Sequence, residues 1–343
     1  MKTIALLWGP FGHRLDELSA AVGGKRISIT LLYGPRYFAP IRYLALFIMT
    51  LILLLAESPD VVYAQNPPVF CPLTSLLYCR VAGKRLVVDH HSVWRVKTIG
   101  GPVGRAIGYL ESVVARSADA NTAPHGVWAR ELSAMGARSV LVVHDHVERN
   151  PYGRDERLRR GYAQTPLIAV ASHGGHPLER MEAEISAASR FETLTLLVTG
   201  PANKLAGRLE KLPPNIRYLG MLPMDDYLRL KASCDFALNI TDEPFTLSHV
   251  LFEYAASALP VVSNRQAVVE EVFGDSLAYV NSSDVTSVSA GIRLLAGDPA
   301  KLVTYRSGMA RMFDKLAATR SREVAALKDL ISTGRSAQAK APA

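Results

Sequence analysis

Short apolar runs rich in β-branched residues alternate with longer stretches of helical period along the whole chain. In the first half the runs are IALLW (4–8), ISITLLY (27–33), VVYAQ (61–65), RLVVD (85–89), ADANTA (118–123) and SVLVVHD (139–145). The rhythm restarts with LIAVAS (167–172), TLLVTG (195–200), IRYLG (216–220), FALNI (236–240), PVVSN (260–264) and LAYV (277–280). Apolar runs of strand length separated by helix-length spacers predict βα units and parallel sheets. Two such halves in succession predict two α/β domains.

Between the halves lies ERNPYGRDERLRRGYAQTP (148–166), which is charged, broken by Pro and Gly, and without an apolar period. It reads as a linker. The predicted organisation is an N-terminal domain over 1–150, a linker over 151–166 and a C-terminal domain over 167–298. Helical patterns occupy 284–296, 299–316 and 321–332. Those over 299–332 are expected to pack back on the N-terminal domain, and 333–343 reads as a tail. One segment stands apart: YLALFIMTLILLLA (43–56) runs for 14 residues without a charge. That is short of the roughly 20 residues that span a bilayer. Two readings stay open, a helix packed on the sheet and an interfacial helix whose Arg36 and Arg42 meet anionic headgroups.

A chain of 343 residues suits two domains, and 49 % hydrophobic with 20 % charged residues excludes a disordered, collagen-like or disulfide-stapled protein. Cys71, Cys79 and Cys234 have the spacing of neither a zinc site nor a disulfide framework, and are expected to be reduced thiols. MKTIALLW holds one lysine and a short apolar run cut off by Gly9-Pro10, so it reads as a first strand and not a signal peptide, and a cytoplasmic protein is expected. The net charge of +8 is one-sided: residues 1–160 hold 20 basic and 12 acidic residues, whereas 161–343 hold 19 of each. A basic first half fits a phosphate-rich or anionic-membrane partner. No basic helix with interleaved aromatics accompanies it, so nucleic acid is not expected as a partner.

The most informative stretch is DEPFTLSHVLFEYAASALPVVS (242–263). It reads as a strand end, a loop, a helix starting near Thr246 or Ser248, and a proline that opens the next strand. A helix start offers unpaired N–H groups and a positive dipole end, which suits an anion. Thr246 and Ser248 can cap the helix or hydrogen-bond a phosphate. Glu253, one to two turns in, can accept from two adjacent sugar hydroxyls, a spacing that matches a diphosphate joined to a ribose.

FEYAASALPVV (252–262) resembles the nucleotide-sugar signature of GT-B glycosyltransferases. The resemblance implies that Glu253 binds the donor ribose, that Thr246, Leu247 and Ser248 meet the donor diphosphate, and that the second half is the donor domain. PNIRYLGMLPMDDY (214–227) is similar to the family's segment leading to that site. In the first half Gln65-Asn66-Pro67-Pro68, Asp89-His90-His91 and Asp145 resemble the chitobiosyldiphosphodolichol β-mannosyltransferase family and its bacterial relatives. Gly9-Pro-Phe-Gly12-His13-Arg14 fits the family's glycine-bearing first loop, which faces the donor. The implied fold is α/β of the GT-B kind, two Rossmann-like doubly wound domains facing a cleft. The implied partners are a nucleotide-diphosphate sugar, with GDP-mannose or a UDP-sugar as donor, and a lipid-linked or glycan acceptor. Asn66, with Arg36 and Arg42, is placed on the acceptor and membrane side.

The chain departs from the family pattern in places. Retaining members carry two glutamates eight positions apart, but eight before Glu253 stands Phe245, with Glu243 displaced by two. The family's Arg and Lys after the first donor-domain strand are replaced by Ser172-His-Gly-Gly-His176, which leaves Arg14, His173, Arg265 or the helix end to meet the diphosphate. Ala258 stands where a glycine is usual, at a cost of roughly 1 kcal/mol if φ is positive there. Inversion needs a base for the acceptor hydroxyl, and His91 or Asp89, at the C-terminal end of a parallel strand, can serve, with His144-Asp145-His146 as a rival. Asp89 alternatively caps a turn. No metal ion or other cofactor is expected. Trp94, Trp128 and Tyr109 read as core or cleft-wall aromatics, and Asp225-Asp226 as a helix start. The expected activity is glycosyl transfer at the inner face of the plasma membrane, in polysaccharide or glycoconjugate synthesis. The rivals are a non-hydrolysing UDP-sugar epimerase and a catalytically silent nucleotide-sugar or lipid-binding subunit.

Overall fold

A computed structural model describes residues 1–9, 12–31, 38–91, 100–162, 165–175, 179–205, 211–242, 245 and 247–333. The chain separates into two compact units. One comprises Met1–His146 with the chain from Ala318 onward, the other Val147–Ala317.

In the first unit the elements are β1 (Thr3–Leu7), α1 (His13–Val22), β2 (Lys25–Ser28), α2 (Ala39–Glu57), β3 (Val61–Asn66), α3 (Phe70–Ala82), β4 (Arg85–His90), α4 (Gly101–Ser117), β5 (Ala120–Ala123), α5 (Gly126–Ala134) and β6 (Val140–Val142). The strands form one parallel sheet in the order β2-β1-β3-β4-β5-β6. β1, β3 and β4 carry almost no exposed residue, because helices cover both faces and alternation between inside and outside is lost. β2 runs Lys25–Ser28, two residues earlier than its apolar pattern predicts, since pairing with Ile4–Leu7 sets its register at the sheet edge.

The second unit contains α6 (Glu156–Tyr162), β7 (Leu167–Ser172), α7 (Met181–Ala188), β8 (Leu194–Thr199), α8 (Ala202–Leu205), β9 (Ile216–Gly220), α9 (Met224–Ser233), β10 (Phe236–Asn239), α10 (His249–Ala256), β11 (Val261–Asn264), α11 (Ala267–Phe273), β12 (Ala278–Val280) and α12 (Val285–Gly297). Its parallel order is β12-β11-β10-β7-β8-β9. Gly291 on α12 lets that helix close on the sheet: a Cβ there would come 2.5 Å from Val280 Cγ1 and 2.7 Å from Val262 Cγ1. The last helix, α13 (Pro299–Thr333), is continuous over 35 residues where the pattern suggests two helices. Its final turns bring Leu327, Leu330 and Ile331 into the first unit's core with Ala5, Leu7, Leu15 and Tyr63.

The stretch expected to be a linker is grouped with the second unit. Residues 156–162 are helical, and Arg154 and Arg159 pair with the buried Asp235 just before β10, at 2.8 and 3.0 Å. Asp235 also accepts from the Ile168 amide at 2.8 Å, so the stretch's charges are spent on the second unit's own strand ends. In each sheet the strand order reverses once, between β1 and β3 and between β7 and β10. Open α/β sheets bind ligands at the carboxyl ends of strands beside such a reversal.

Candidate functional site

In the second unit the helix after β10 is α10, whose Leu251, Phe252, Tyr254 and Ala255 are buried. That leaves Glu253 toward the edge, 19 % exposed. One of its oxygens is anchored: Oε2 accepts from Tyr227 Oη at 2.9 Å and from Lys231 Nζ at 3.0 Å. Tyr227 Oη also lies 2.9 Å from Ser172 Oγ at the end of β7, which accepts from Thr199 Oγ1 at 3.1 Å. These contacts place the carboxylate beside the β7–β10 reversal. Lys231 is 1 % exposed and its Nζ sits 4.0 Å from the Tyr227 ring centroid. Burial pulls the Lys231 pKa down and Glu253 opposes that pull; burial, with Tyr254 and Glu253, holds the Tyr227 phenol well above its usual value. The other oxygen, Oε1, lies 3.9 Å from His249 Nε2 one turn back on the same helix; a carboxylate has about four acceptor sites, so one hydrogen-bonded through Oε2 keeps capacity for two hydroxyl donors.

Sequence reasoning finds Glu253 but misses Tyr227 and Lys231. The readable signal is their spacing: four apart on one helix, they share a face, and a lysine beside the buried Leu230 needs a partner. Asp225 and Asp226 occupy the first turn of that helix, the start expected of them. Ser248 is the N-cap of α10 and its side chain makes no capping bond; its Oγ lies 3.4 Å from Asn239 Nδ2. Leu247 is buried. Thr246, Glu243, His176, Arg36 and Trp94 lie outside the described residues.

Two residues assigned to the diphosphate are engaged otherwise. His173 is buried after β7, with Nε2 2.7 Å from Glu184 Oε2 and Nδ1 3.5 Å from Glu179 Oε2. Burial disfavours the imidazolium, but Glu184 and Glu179 outweigh it and raise the pKa to about 10. The ring braces the loop after β7, because Glu184 also accepts from the Ile240 amide at 2.8 Å and Glu179 from the amides of Gly174 and Gly175. Arg14, in the first unit, is the second. Its side chain is 2 % exposed; Nε reaches both Asp89 oxygens at 3.1 Å and Nη1 reaches Asp145 Oδ1 at 2.8 Å. Burial works against its charge, yet Asp89 and Asp145 raise its pKa above the ordinary value. Arg265, at the end of β11, stays 63 % exposed, pairs with Glu270 and lies 4.7 Å from the Tyr279 ring centroid.

Asp89, the other candidate base, is enclosed by interior partners. It has no exposed surface, and besides Arg14 it accepts from Thr122 Oγ1 at 2.7 Å, which in turn meets Tyr63 Oη at 2.9 Å. Its neighbour His90 is also consumed. Asn121 Nδ2 donates to the carbonyls of Ala115 and Ser139, so its Oδ1 faces His90 Nε2 at 2.9 Å and that nitrogen carries the proton. His90 Nδ1 lies 3.3 Å from Asn66 Nδ2, which donates to Glu111 Oε2 at 2.6 Å. Asn66 is 2 % exposed, so this network is interior. His91 is half-buried, its amide bonded to the Asn66 carbonyl at 2.9 Å. In the rival cluster, His144 Nδ1 lies 2.6 Å from Glu323 on α13. Gly12 precedes α1, where a Cβ would come 2.5 Å from Leu7 Cδ2. Arg42 lies 5.7 Å from the Tyr43 ring centroid. Trp128 is core at 1 % exposure, whereas Tyr109, read as a core or wall aromatic, is 66 % exposed because it stands on the outer side of α4.

Comparison with known proteins follows this division. Residues 9–147 match the glycosyl transferase 4-like domain family, and residues 179–326 match the glycosyl transferase-like family. No curated protein sequence matches the chain. Among solved structures, HepE of Anabaena in complex with UDP superposes with a TM-score of 0.78 at 15 % identity, over 96 % of this chain and 100 % of that one. Sucrose-phosphate synthase of Thermosynechococcus elongatus gives 0.80 at 12 %, over 97 % and 100 %. A UDP-forming α,α-trehalose-phosphate synthase of Burkholderia vietnamiensis gives 0.72 at 11 %, over 96 % and 100 %. Two parallel six-stranded sheets, a family match in each half and these neighbours agree, and the chain belongs to the glycosyltransferases of the GT-B fold.

Proposed function

We propose that the chain moves a sugar from a nucleoside-diphosphate sugar to a lipid-linked or glycan acceptor at the cytoplasmic face of the plasma membrane, in polysaccharide or glycoconjugate synthesis. The observation that carries this reading is Glu253, anchored through one oxygen by Lys231 and Tyr227 beside the β7–β10 reversal. The donor's ribose hydroxyls donate to Glu253. Its diphosphate takes the N–H groups at the start of α10, about 6 Å away along the same helix, where the dipole favours negative charge. HepE of Anabaena, solved with UDP and with UDP-glucose, supports a donor of this class. GDP-mannose enters through the first-half resemblance.

In the transfer the acceptor hydroxyl oxygen bonds to the anomeric carbon as the bond from that carbon to the diphosphate breaks. The acceptor proton passes to a base, and the nucleoside diphosphate leaves, its charge met by N–H groups. His91 takes the base's role, with inversion at the anomeric carbon: of Asp89, His90 and His91 at and just past the end of β4 it is the one not buried, Asp89 and His90 being spent on interior partners. This reading requires no metal.

A thermal-shift panel of GDP, UDP, ADP and dTDP tests the donor site. A ligand at 100 times its Kd stabilises by about 2.7 kcal/mol. One nucleotide should raise the Tm of the wild type, and Glu253→Ala should abolish the rise; no shift with any nucleotide refutes the assignment. Product analysis then separates the reactions. Donor consumed only with acceptor supports transfer, donor isomerised alone supports an epimerase, and binding without turnover supports a silent subunit.

A further inference from the structure

The helix α2 presents two unlike faces. Leu46, Thr50 and Leu54 recur every four residues, are buried, and seat the helix on the first sheet. On the opposite side run Ile41 (66 % exposed), Leu44 (59 %), Ile48 (47 %), Ile52 (62 %) and Leu55 (68 %), spaced three or four apart and so aligned in one stripe. Only 17 % of this apolar helix is buried. Its neighbours extend the surface: α3 and α4 pack into the same core cluster and expose Leu77, Val81, Val103 and Tyr109. A protein that keeps to water rarely leaves such a run of large apolar side chains uncovered.

The charges of this layer say what covers it. Arg42, Arg80, Arg105 and Arg116 lie on the three helices. The same helices hold two carboxylates, and neither opposes an anionic surface: Glu57 pairs with Lys2 and Lys25, and Glu111 is 2 % exposed. An apolar stripe among arginines complements anionic headgroups above acyl chains. A second copy of this face would set arginine against arginine. With 19 residues α2 is about 28 Å long, enough to cross a bilayer, but its Leu46–Thr50–Leu54 side is committed to the sheet. It therefore meets a membrane lying flat.

We propose that the outer face of α2 is a membrane-docking surface, which immerses Ile41, Leu44, Ile48, Ile52 and Leu55 at the headgroup–acyl boundary of an anionic bilayer while the arginines of α2, α3 and α4 contact lipid phosphates. This surface supplies the membrane part of the proposed function and rests on it only there; the test uses lipid without donor, so the two can fail separately. Co-sedimentation with phosphatidylcholine vesicles, with and without phosphatidylglycerol, reads it. The wild type should bind the phosphatidylglycerol vesicles, more weakly as salt rises, and an Ile48→Asp/Ile52→Asp variant should lose affinity by about tenfold or more. The variant's Tm and its nucleotide-induced shift should match the wild type, because both side chains are exposed. Arg42→Ala/Arg105→Ala should weaken binding to anionic vesicles alone. Equal sedimentation of wild type and the Ile48→Asp/Ile52→Asp variant, or no binding at low salt, overturns the proposal. So does a wild-type dimer that this variant converts to a monomer, since the face then belongs to a second copy.

Discussion

The two units both gather charged groups near the carboxyl ends of their parallel strands and use them differently. In the first unit Asp89, Arg14 and Asp145 close on one another: Asp89 has no exposed surface and the Arg14 side chain is 2 % exposed. In the second, Glu253 is drawn to one side by Lys231 and Tyr227 and remains 19 % exposed. A buried ion pair closed off from water braces a fold, and taking away one partner leaves an uncompensated charge. A carboxylate hydrogen-bonded through Oε2, with His249 Nε2 3.9 Å from Oε1, has its orientation fixed and keeps acceptor capacity. The same residue types therefore read as brace or binding group according to how many of their lone pairs the protein has already filled.

The largest expected effect separates the two clusters by stability. Arg14→Met strands Asp89 and Asp145 without their cation and should cost about 3–5 kcal/mol, measured by urea unfolding. Lys231→Met should cost far less, because Glu253 can take water; an equal loss would make the second cluster a brace as well. The second unit has a brace of its own in His173 and Glu184, and unlike a guanidinium it titrates in reach of ordinary buffers. The folded His173 pKa of about 10 exceeds the ordinary 6.5, so the pair's contribution is complete below pH 6.5 and is lost as pH rises through about 10. A loss of about 2 kcal/mol is expected over that window, and it should be missing in His173→Gln. A flat difference between the two proteins from pH 6.5 to 10 would refute the ion pair.

Smaller effects sharpen the functional side of the contrast. Lys231→Met should raise the Kd for the stabilising nucleotide about tenfold, which is 1.4 kcal/mol, by releasing the anchored oxygen of Glu253. Asp89→Asn, in the other unit, should lower the Tm while leaving the nucleotide-induced shift intact. Titration calorimetry that finds the reverse would exchange the two roles. Least of all, Ala258 adopts φ +49 in the turn between α10 and β11, a region that favours glycine. Ala258→Gly should therefore stabilise by about 1 kcal/mol or less in thermal unfolding.

Much of the architecture is legible as pattern. Each of the twelve apolar runs overlaps a strand, most of them closely, because a strand buried on both faces has to be continuously apolar and helix-length spacers force parallel pairing; the exposed edge strand β2 shares only Ile27 and Ser28 with its run. The stretch at 148–166 misleads for a related reason. Charge and proline make it resemble a linker, but Asp235, some 76 residues from Arg159 in sequence, pairs with its arginines. Local composition carries no record of such a partner. In the second unit Glu253 is legible from the signature around it, whereas Tyr227 and Lys231 precede it by 26 and 22 residues and become its neighbours only when α9 and α10 pack.

The sequence by itself determines two α/β halves, the one-sided basic charge, the apolar segment at 43–56 and the helix that bears Glu253. These follow from periodicity and from residue types at fixed spacing, which are local properties. The tertiary structure alone decides which charges cancel: that Arg14, Asp89 and His173 are spent inside the protein, that Glu253 is held by one oxygen, and that α2 turns one stripe inward and the other outward. Burial and pairing depend on groups distant in sequence arriving at one place, and an isolated segment does not encode that meeting.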